Sequence, residues 1–256
     1  METVAPPPLA VVKVGSTSVS VLVAGRLSEP LFLHARVLRL IQEPDPARAL
    51  DAVMGDVAAS VSRYRPRTGL VALGELGRLH PDLSRSLARQ GYPVWALSGP
   101  EEGRVAWWGE QMFYAHPITV VDVGGGSTEI AGSHAALSLP VGTERPPRPE
   151  VRFPAEIGAP GGVVAIGGTA RALGLLFGSP LRRETLMDYA RRPPACWPDV
   201  DRVEPERRPL LSGGLCTVLW VMEGLGVERL PVSERDLRWG LWLSARLGRA
   251  GRWPGG

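Results

Sequence analysis

The sequence predicts an α/β fold in which one domain occurs twice. Predicted strands alternate with predicted helices along the chain, which is typical of layered α/β folds. Residues 11–18, VVKVGSTS, and residues 120–127, VVDVGGGS, share the pattern V-V-x-V-G-x-x-S. This internal repeat indicates a duplicated unit. The length of 256 residues suits one large domain or two small ones, so the repeat favours two.

The elements of the first half follow from alternation, turn residues and helix caps. Asp45-Pro46 is predicted to open a helix, because aspartate favours the N-cap and proline the first helical turn. Apolar residues then recur at a 3.6-residue period up to Val61. Residues 9–25 are predicted to form a strand, a tight Gly-Ser-Thr-Ser turn and a second strand. The other predicted elements are strands at 30–41, 70–73 and 93–97 and a helix at 81–90 that ends at Gly91.

The second half repeats the opening order of strand, glycine turn and strand at 118–132. A buried strand at 163–166 leads into a further glycine turn and then a helix from Ala170. Long irregular connections are predicted at 143–162 and 191–206, an apolar helix at 210–223, and a final helix capped by Ser233.

These elements predict three segments. Residues 1–117 form a first domain and residues 118–232 a second. The C-terminal helix within 233–256 is expected to pack back at the domain interface, and its tryptophans make a homodimer plausible.

Composition excludes several classes of protein. Hydrophobic residues make up 44% and charged residues 21%, which is ordinary for a folded protein and excludes disorder. No apolar run approaches a membrane span, the N-terminus lacks a signal peptide, and no basic aromatic run indicates nucleic-acid binding. A soluble cytoplasmic protein with neither nucleic-acid nor membrane partners is therefore expected.

The chain has no asparagine and only one lysine, Lys13, which suggests a high-GC, thermophilic source.

Three glycine turns are candidate phosphate-binding loops. Backbone N–H groups in such turns point into a concavity that accepts phosphate oxygens, and bulky side chains would block the approach. The alternative is that they are ordinary tight turns, since hairpins often need glycine. If the two halves face each other, the first two turns converge on one cleft. The three turns comprise Gly15, Ser16, Thr17 and Ser18; Gly124, Gly125, Gly126, Ser127 and Thr128; and Gly167, Gly168 and Thr169.

Two carboxylates flank the second turn and are candidate Mg²⁺ ligands. Asp122 ends a buried strand, where a carboxylate is costly unless it binds a metal or accepts hydrogen bonds. Glu129 lies on the returning strand and could complete the shell with waters and phosphate, although a surface carboxylate is a fair alternative for it. Glu101 and Glu102 stand at a helix start, where acidic residues are common because of the helix dipole.

Five ordered segments resemble the exopolyphosphatase and guanosine pentaphosphate phosphatase (Ppx/GppA) family. VDVGGGSTE at 121–129 resembles the family signature, and SGPEEGR at 98–104 resembles its Ser-Gly-x-Glu-Glu-Ala-Arg motif. The resemblance covers nearly the whole chain in the family's order. The remaining segments are SLPVGTER at 138–145, VAIGGTARALG at 164–174 and SERDLRWGL at 233–241.

The resemblance implies an actin-like fold, with two ribonuclease-H-like domains around a central cleft. It implies hydrolysis of terminal phosphoanhydrides, with Mg²⁺, in inorganic polyphosphate or guanosine pentaphosphate. Glu102 matches the family's general base, and Asp122 and Glu129 match the acidic pair near metal and phosphate. The turns at 15–18 and 124–127 match the first and second phosphate loops.

The chain departs from the family's pattern at three places. Lys13 stands where the first strand of the family usually carries aspartate, and the internal repeat likewise makes it the counterpart of Asp122. An Ala-Thr-x-Ala-x-Arg segment is replaced by residues 72–77, so its arginine is missing or displaced to Arg78. The expected Arg-Ala-Asp segment is not evident at 208–214.

Lys13 leaves the function open between alternatives. Its ammonium could contact phosphate and reduce the need for Mg²⁺, or it could mark a degraded site, or it could reach solvent. A phosphoanhydride hydrolase is the first hypothesis. The second is a non-catalytic phosphate- or nucleotide-binding regulator, and the third is a small-molecule kinase of the actin-like superfamily, which the Glu102 segment disfavours.

Overall fold

The computed structural model describes residues 7–27, 29–148, 153–154 and 161–248. These residues form two compact units, one up to Ser98 and again from Arg238, the other from Gly99 to Leu237. The predicted boundary at 117 is therefore displaced. The helix that follows Ser98 packs on the second sheet, which assigns it to the second unit.

The first unit contains a five-stranded sheet with the order β3-β2-β1-β4-β5. The first three strands pair antiparallel, whereas β1, β4 and β5 are parallel. All five predicted strands are confirmed, although the third ends earlier than the predicted 41. The strands are β1 (Leu9–Val14), β2 (Ser18–Arg26), β3 (Glu29–Val37), β4 (Arg67–Leu73) and β5 (Val94–Ala96).

Three helices precede the boundary: α1 (Pro46–Val61), α2 (Glu75–Leu79) and α3 (Pro81–Arg89). The predicted cap of α1 is confirmed, because the Asp45 side chain accepts a hydrogen bond from the Arg48 backbone N–H at 3.0 Å. Buried side chains of α1 and α3, among them Leu50, Met54 and Leu87, join valines of the sheet in one core.

The second unit repeats this architecture. Its sheet has the order β8-β7-β6-β9, with antiparallel pairs up to β6 and a parallel pair between β6 and β9. A parallel bridge between Ala165 and Val232 lies on the far side of β9, where the first sheet has its fifth strand. The strands are β6 (Thr119–Val123), β7 (Thr128–Ala131), β8 (Ala136–Leu139) and β9 (Val163–Ile166). The predicted duplication is thus confirmed in the topology.

Helices flank this second sheet. The helix α4 (Gly99–Gln111) packs on β6, β7 and β8, whereas α5 and α7 share a core with the opposite face. A two-stranded sheet and short 3₁₀ turns at 194–210 complete the unit, so the connection predicted at 191–206 is not wholly irregular. The further elements are α5 (Gly167–Phe177), β10 (Leu181–Arg182), α6 (Arg183–Ala190), α7 (Leu211–Gly224) and β11 (Arg229–Leu230).

The C-terminal helix α8 (Leu237–Arg246) packs on the first sheet. Arg238 donates hydrogen bonds to the carbonyl oxygens of Val21 and His34, and the Trp242 indole donates to that of Ala24. The prediction that Ser233 caps this helix is wrong. Its hydroxyl accepts a hydrogen bond from the Arg235 backbone N–H in a turn before the helix begins.

Arg238 is expected to contribute strongly to the stability of the first unit. Its side chain is 1% exposed, so Arg238→Met leaves the carbonyl oxygens that it binds without their donor. We expect a loss of roughly 3 kcal/mol in the free energy of unfolding, measured by chemical denaturation. Arg89→Met, which removes an exposed arginine, should change stability little. Equal stability of the two variants would contradict this role.

Among the residues that the structure describes, every α-helix is too short or too polar to span a lipid bilayer.

Candidate functional site

The two repeated glycine turns have the same backbone hydrogen bond. In the first unit the Gly15 N–H donates to the Ser18 carbonyl at 2.9 Å, and in the second Gly124 donates to Ser127, also at 2.9 Å. Each bond closes a hairpin between two antiparallel strands, β1 with β2 and β6 with β7. The repeat seen in the sequence therefore extends to the local geometry of both turns.

Backbone N–H groups from later segments of the chain donate hydrogen bonds to the carbonyl oxygens of both turns. The Thr17 oxygen accepts from the backbone N–H of Leu38 at 2.9 Å. In the second turn, the oxygen of Gly124 accepts from Thr143 at 2.9 Å, and that of Gly125 accepts from Glu144 at 2.8 Å. Because these oxygens are engaged by protein donors, the turns are fixed by tertiary contacts as well as by their own bond.

The close approach to the second turn requires glycine at position 142. A Cβ there would lie 2.5 Å from the Gly125 carbonyl oxygen and 2.7 Å from that of Gly124. The helix α7 packs closely on the same segment, because a Cβ on Gly213 would overlap the Thr143 carbonyl oxygen. The segment that binds the second glycine turn, which includes Gly126, Ser127 and Thr128, is therefore itself in contact with a helix from later in the chain.

Asp122 and Glu129 lie directly opposite each other on β6 and β7. Opposed residues of an antiparallel pair point to the same face of a sheet. Both side chains are only 3% exposed, so Glu129 is not the surface carboxylate of the alternative interpretation. The Ser138 hydroxyl donates to Glu129 Oε1 at 2.8 Å, which fixes that carboxylate from β8.

Glu102 lies in the first turns of α4 and is 5% exposed. Its neighbour Gly103 allows the helix to approach the sheet, since a Cβ at that position would lie 3.4 Å from the Cβ atoms of Glu129 and Ala131. The structure therefore places Glu102 on the helix that covers the face of the sheet carrying Glu129. Three buried carboxylates predicted from two motifs therefore belong to α4 and to the face of the sheet that α4 covers.

The third predicted glycine turn is wrong as a turn: residues Gly167, Gly168 and Thr169 form the first turn of α5. Gly167 has φ +85°, and a Cβ there would overlap the Asp122 carboxylate. The Thr169 hydroxyl donates to the Val123 carbonyl oxygen at 2.8 Å. The N-terminus of α5 therefore adjoins the end of β6, where its dipole favours negative charge.

Arg207, which was not predicted from the sequence, lies beside the N-terminus of α5. A Cβ at Gly168 would lie 3.0 Å from Arg207 Cζ, so the guanidinium group lies against the N-terminus of α5. Its Nε lies 3.5 Å from Glu204 Oε2, and its side chain is 15% exposed. Burial lowers the pKa of Arg207, Glu204 opposes this shift and Arg171 adds to it, and the guanidinium group stays charged because arginine is effectively always protonated in proteins.

No signal in the sequence identified Arg207. The Arg-Ala-Asp segment is expected at 208–214, and Arg207 lies one residue before that range. Its partner Gly168 is far away along the chain, so their contact depends on packing between separate elements. Arg78, the residue to which the arginine of the segment at 72–77 could be displaced, donates from Nη1 to the Leu97 carbonyl oxygen at 2.9 Å within the first unit.

The donors of the second unit suit a partly ligated Mg²⁺ ion rather than a closed metal cage. In the described parts of the chain, no group of three His, Cys, Asp or Glu side chains is arranged to hold a metal. Asp122 and Glu129 nevertheless form an opposed pair of buried carboxylates. Mg²⁺ commonly takes one or two carboxylates and completes its shell with waters and substrate phosphate, so this pair fits it.

In the first unit, the corresponding pair is Lys13 on β1 and Ser20 on β2. Ser16 in the adjoining turn is buried, with 5% of its surface exposed. The structure keeps the predicted first loop and its hairpin but gives it no carboxylate at either strand position. The hairpins of the two units therefore have the same backbone arrangement but carry different charges.

The sheet topology and paired hairpins define a protein of the actin-like fold class, which confirms the predicted fold. A crystal structure of the Aquifex aeolicus member of the Ppx/GppA protein family is similar over 94% of this chain and 98% of that chain, with a TM-score of 0.71 at 19% identity. An exopolyphosphatase from Cytophaga hutchinsonii matches over 94% and 98%, with a TM-score of 0.74 at 13% identity.

An exopolyphosphatase-like protein matches over 95% of this chain and 99% of that chain, with a TM-score of 0.73 at 17% identity. No protein-family model and no curated protein matches the sequence. At these identities the likeness establishes the fold alone.

Proposed function

We propose that this protein is a phosphoanhydride hydrolase of the Ppx/GppA type, which releases terminal phosphate from inorganic polyphosphate or guanosine pentaphosphate. The observation that carries the proposal is the arrangement at the end of β6. There the opposed carboxylates of Asp122 and Glu129 adjoin a glycine turn and a helix N-terminus against which Arg207 lies. The resemblance of the motifs and the fold shared with an exopolyphosphatase support the same activity.

Each group has a role that phosphoryl transfer needs. The N–H groups of the second turn and the N-terminus of α5 would bind phosphate oxygens, and Arg207 would add a fixed positive charge. Asp122 and Glu129 would hold Mg²⁺, which when bound offsets charge on the phosphoryl oxygens. The glycine turn of the first unit is proposed to bind phosphate as well.

Glu102 is the proposed general base. Hydrolysis needs a water molecule held in line with the transferred phosphoryl group and a group that accepts its proton. A buried carboxylate on a helix packed against the sheet is held in one place, which limits the reorganisation that the reaction requires. A kinase has no need of a base directed at water, so this residue favours hydrolysis over transfer to a small molecule.

A non-catalytic regulator that binds a phosphate compound is the second candidate. The observation that favours it is Lys13 at the position equivalent to Asp122, since a site that lacks this carboxylate could bind a phosphate compound without hydrolysing it.

The predicted cytoplasmic location, homodimer and absence of nucleic-acid and membrane partners stay predictions.

Phosphate release distinguishes the two candidates. We expect the folded protein to release phosphate from long-chain polyphosphate or guanosine pentaphosphate, and to do so faster with Mg²⁺ than with EDTA. Thermal stabilisation by the substrate should then decay during incubation as the ligand is consumed. No release from either compound, together with stabilisation that persists, would contradict the hydrolase and favour the regulator.

A further inference from the structure

The two glycine hairpins have opposite charge. From Thr3 to Ser28 the sequence contains no acidic residue, and the charged residues of the first hairpin are Lys13 and Arg26. The second hairpin, at 118–132, contains Asp122 and Glu129 and no basic residue. One backbone arrangement is thus combined with a cation in one unit and with two anions in the other.

The register makes this an exchange at one structural position. Lys13 is opposite Ser20 across β1 and β2, and Asp122 is opposite Glu129 across β6 and β7. Both pairs lie one residue outside the pair that flanks the turn, which is Val14 with Val19 in the first unit. A lysine and a serine therefore occupy the positions that hold both carboxylates in the second unit.

The Lys13 side chain extends towards its own turn. Its Cε lies 3.9 Å from the position that a Cβ would take on Gly15, so the end of the side chain reaches the first residue of the turn. The Gly15 N–H is engaged with Ser18 and the Thr17 carbonyl with Leu38, which fixes the turn beneath it. The ammonium group thus belongs to the hairpin whose backbone matches the second phosphate loop.

Charge decides what each turn needs in order to bind phosphate. The carboxylates of Asp122 and Glu129 repel a phosphate oxygen unless a cation lies between the phosphate and the carboxylates. In the proposed function that cation is Mg²⁺. A phosphate oxygen near Lys13 meets a positive charge that the chain itself supplies. Phosphate-binding loops commonly combine backbone N–H groups with one lysine for this purpose.

We propose that Lys13 is the resident cation of the first glycine turn and binds an oxygen of a phosphoanhydride there without a metal ion. This rests on the proposed function for the identity of the ligand. Under this proposal the two units bind phosphate in different ways. The second unit uses Mg²⁺, and the first unit uses the ammonium group of Lys13.

The single lysine allows a direct test by chemical labelling. An amine-acetylating reagent can modify the Lys13 ammonium and the α-amino group of the chain, and the latter serves as an internal reference. The full-length protein is labelled with and without inorganic tripolyphosphate, in EDTA and in Mg²⁺. Cleavage with an arginine-specific protease, which leaves labelled and unlabelled Lys13 uncut, then releases both amines in one peptide that ends at Arg26, and mass spectrometry measures each extent of labelling.

We expect tripolyphosphate to protect Lys13 at least about fivefold in EDTA while the α-amino group is labelled as before. Protection of Lys13 only when Mg²⁺ is present, or none in either condition, would overturn the proposal. Phosphate release by the same preparation tests the proposed function separately. Protection of Lys13 without release of phosphate would support Lys13 as the cation of the first turn and would contradict the proposed hydrolase activity.

Affinity measurements with variants give a second readout. In EDTA, Lys13→Met should weaken tripolyphosphate binding by roughly tenfold or more, the effect of losing one charge-assisted contact, whereas Lys13→Arg should retain most of the affinity. Arg26→Met is the matched control, because it removes an equal charge from an exposed position at the far end of β2. Equal affinities of Lys13→Met and Arg26→Met would overturn the proposal.

Discussion

Glu102→Gln is expected to lower the rate of phosphate release by about 10²–10⁴-fold while tripolyphosphate still binds. Glutamine fills nearly the same volume on α4, so packing against the second sheet should survive, but the amide cannot accept the proton from water. Because the lost contribution acts on the reaction rather than on binding, kcat should fall much more than KM rises. Initial rates of phosphate release over a range of polyphosphate concentrations measure this difference.

Glu101→Gln is the matched control for this variant. It makes the same change one residue earlier on α4, at a side chain that is more exposed than that of Glu102. We expect kcat to stay within about twofold of that of the unmodified protein, since surface substitutions usually have small effects. Similar losses in both variants would show that charge at the start of α4, rather than a base at position 102, supports the reaction.

Asp122→Asn is expected to raise the Mg²⁺ concentration needed for half-maximal activity by at least about tenfold, an effect that even outer partners of metal ligands produce. Asparagine keeps the shape of the side chain beside Gly167, where the structure leaves no room for a Cβ. The substitution removes one of the two opposed carboxylates, so Mg²⁺ loses a charged ligand. Titrations of phosphate release with Mg²⁺ provide the measurement.

Asp188→Asn, an exposed substitution on α6 of the same unit, should leave the Mg²⁺ titration unchanged. Glu129→Gln should shift it in the same direction as Asp122→Asn, because the two residues are opposed across β6 and β7. If Asp122→Asn titrates with Mg²⁺ like the unmodified protein, then Asp122 is not a metal ligand. The buried Asp122 carboxylate would then have only a structural role beside the N-terminus of α5.

Local patterns were sufficient to predict most strands and the duplication. The pattern V-V-x-V-G-x-x-S needs only alternating β-branched residues and a turn residue, and both copies fold into hairpins with the same closing bond. The cap at Asp45 and the end of α3 before Gly91, which has φ +85°, likewise depend on near neighbours in the sequence. Interactions of this kind are fixed by the chain within a few residues.

Three boundaries required knowledge of packing. The glycines at 167 and 168 resemble those of a turn, yet they begin α5. Glycine is required at both positions because the end of β6 and Arg207 lie too close for a side chain. Ser233 precedes a polar segment that resembles a helix start, but its neighbour Arg235 binds Glu110 on α4 at 3.1 Å and the helix begins later. The division of the chain moved to Ser98 because α4 packs on the second sheet.

The α/β class, the repeated hairpins and the residues of the two glycine turns were predictable from local patterns in the sequence. Asp122, Glu129 and Lys13 were identified from their residue types and positions, whereas Glu102 was identified through the resemblance of residues 98–104 to a family motif. The folded structure was needed to show that Glu129 is buried, that α5 begins beside Asp122, and that Arg207 lies against the N-terminus of α5. Those facts depend on contacts between residues far apart in the chain, whose proximity results from the packing of whole helices and sheets rather than from any local pattern.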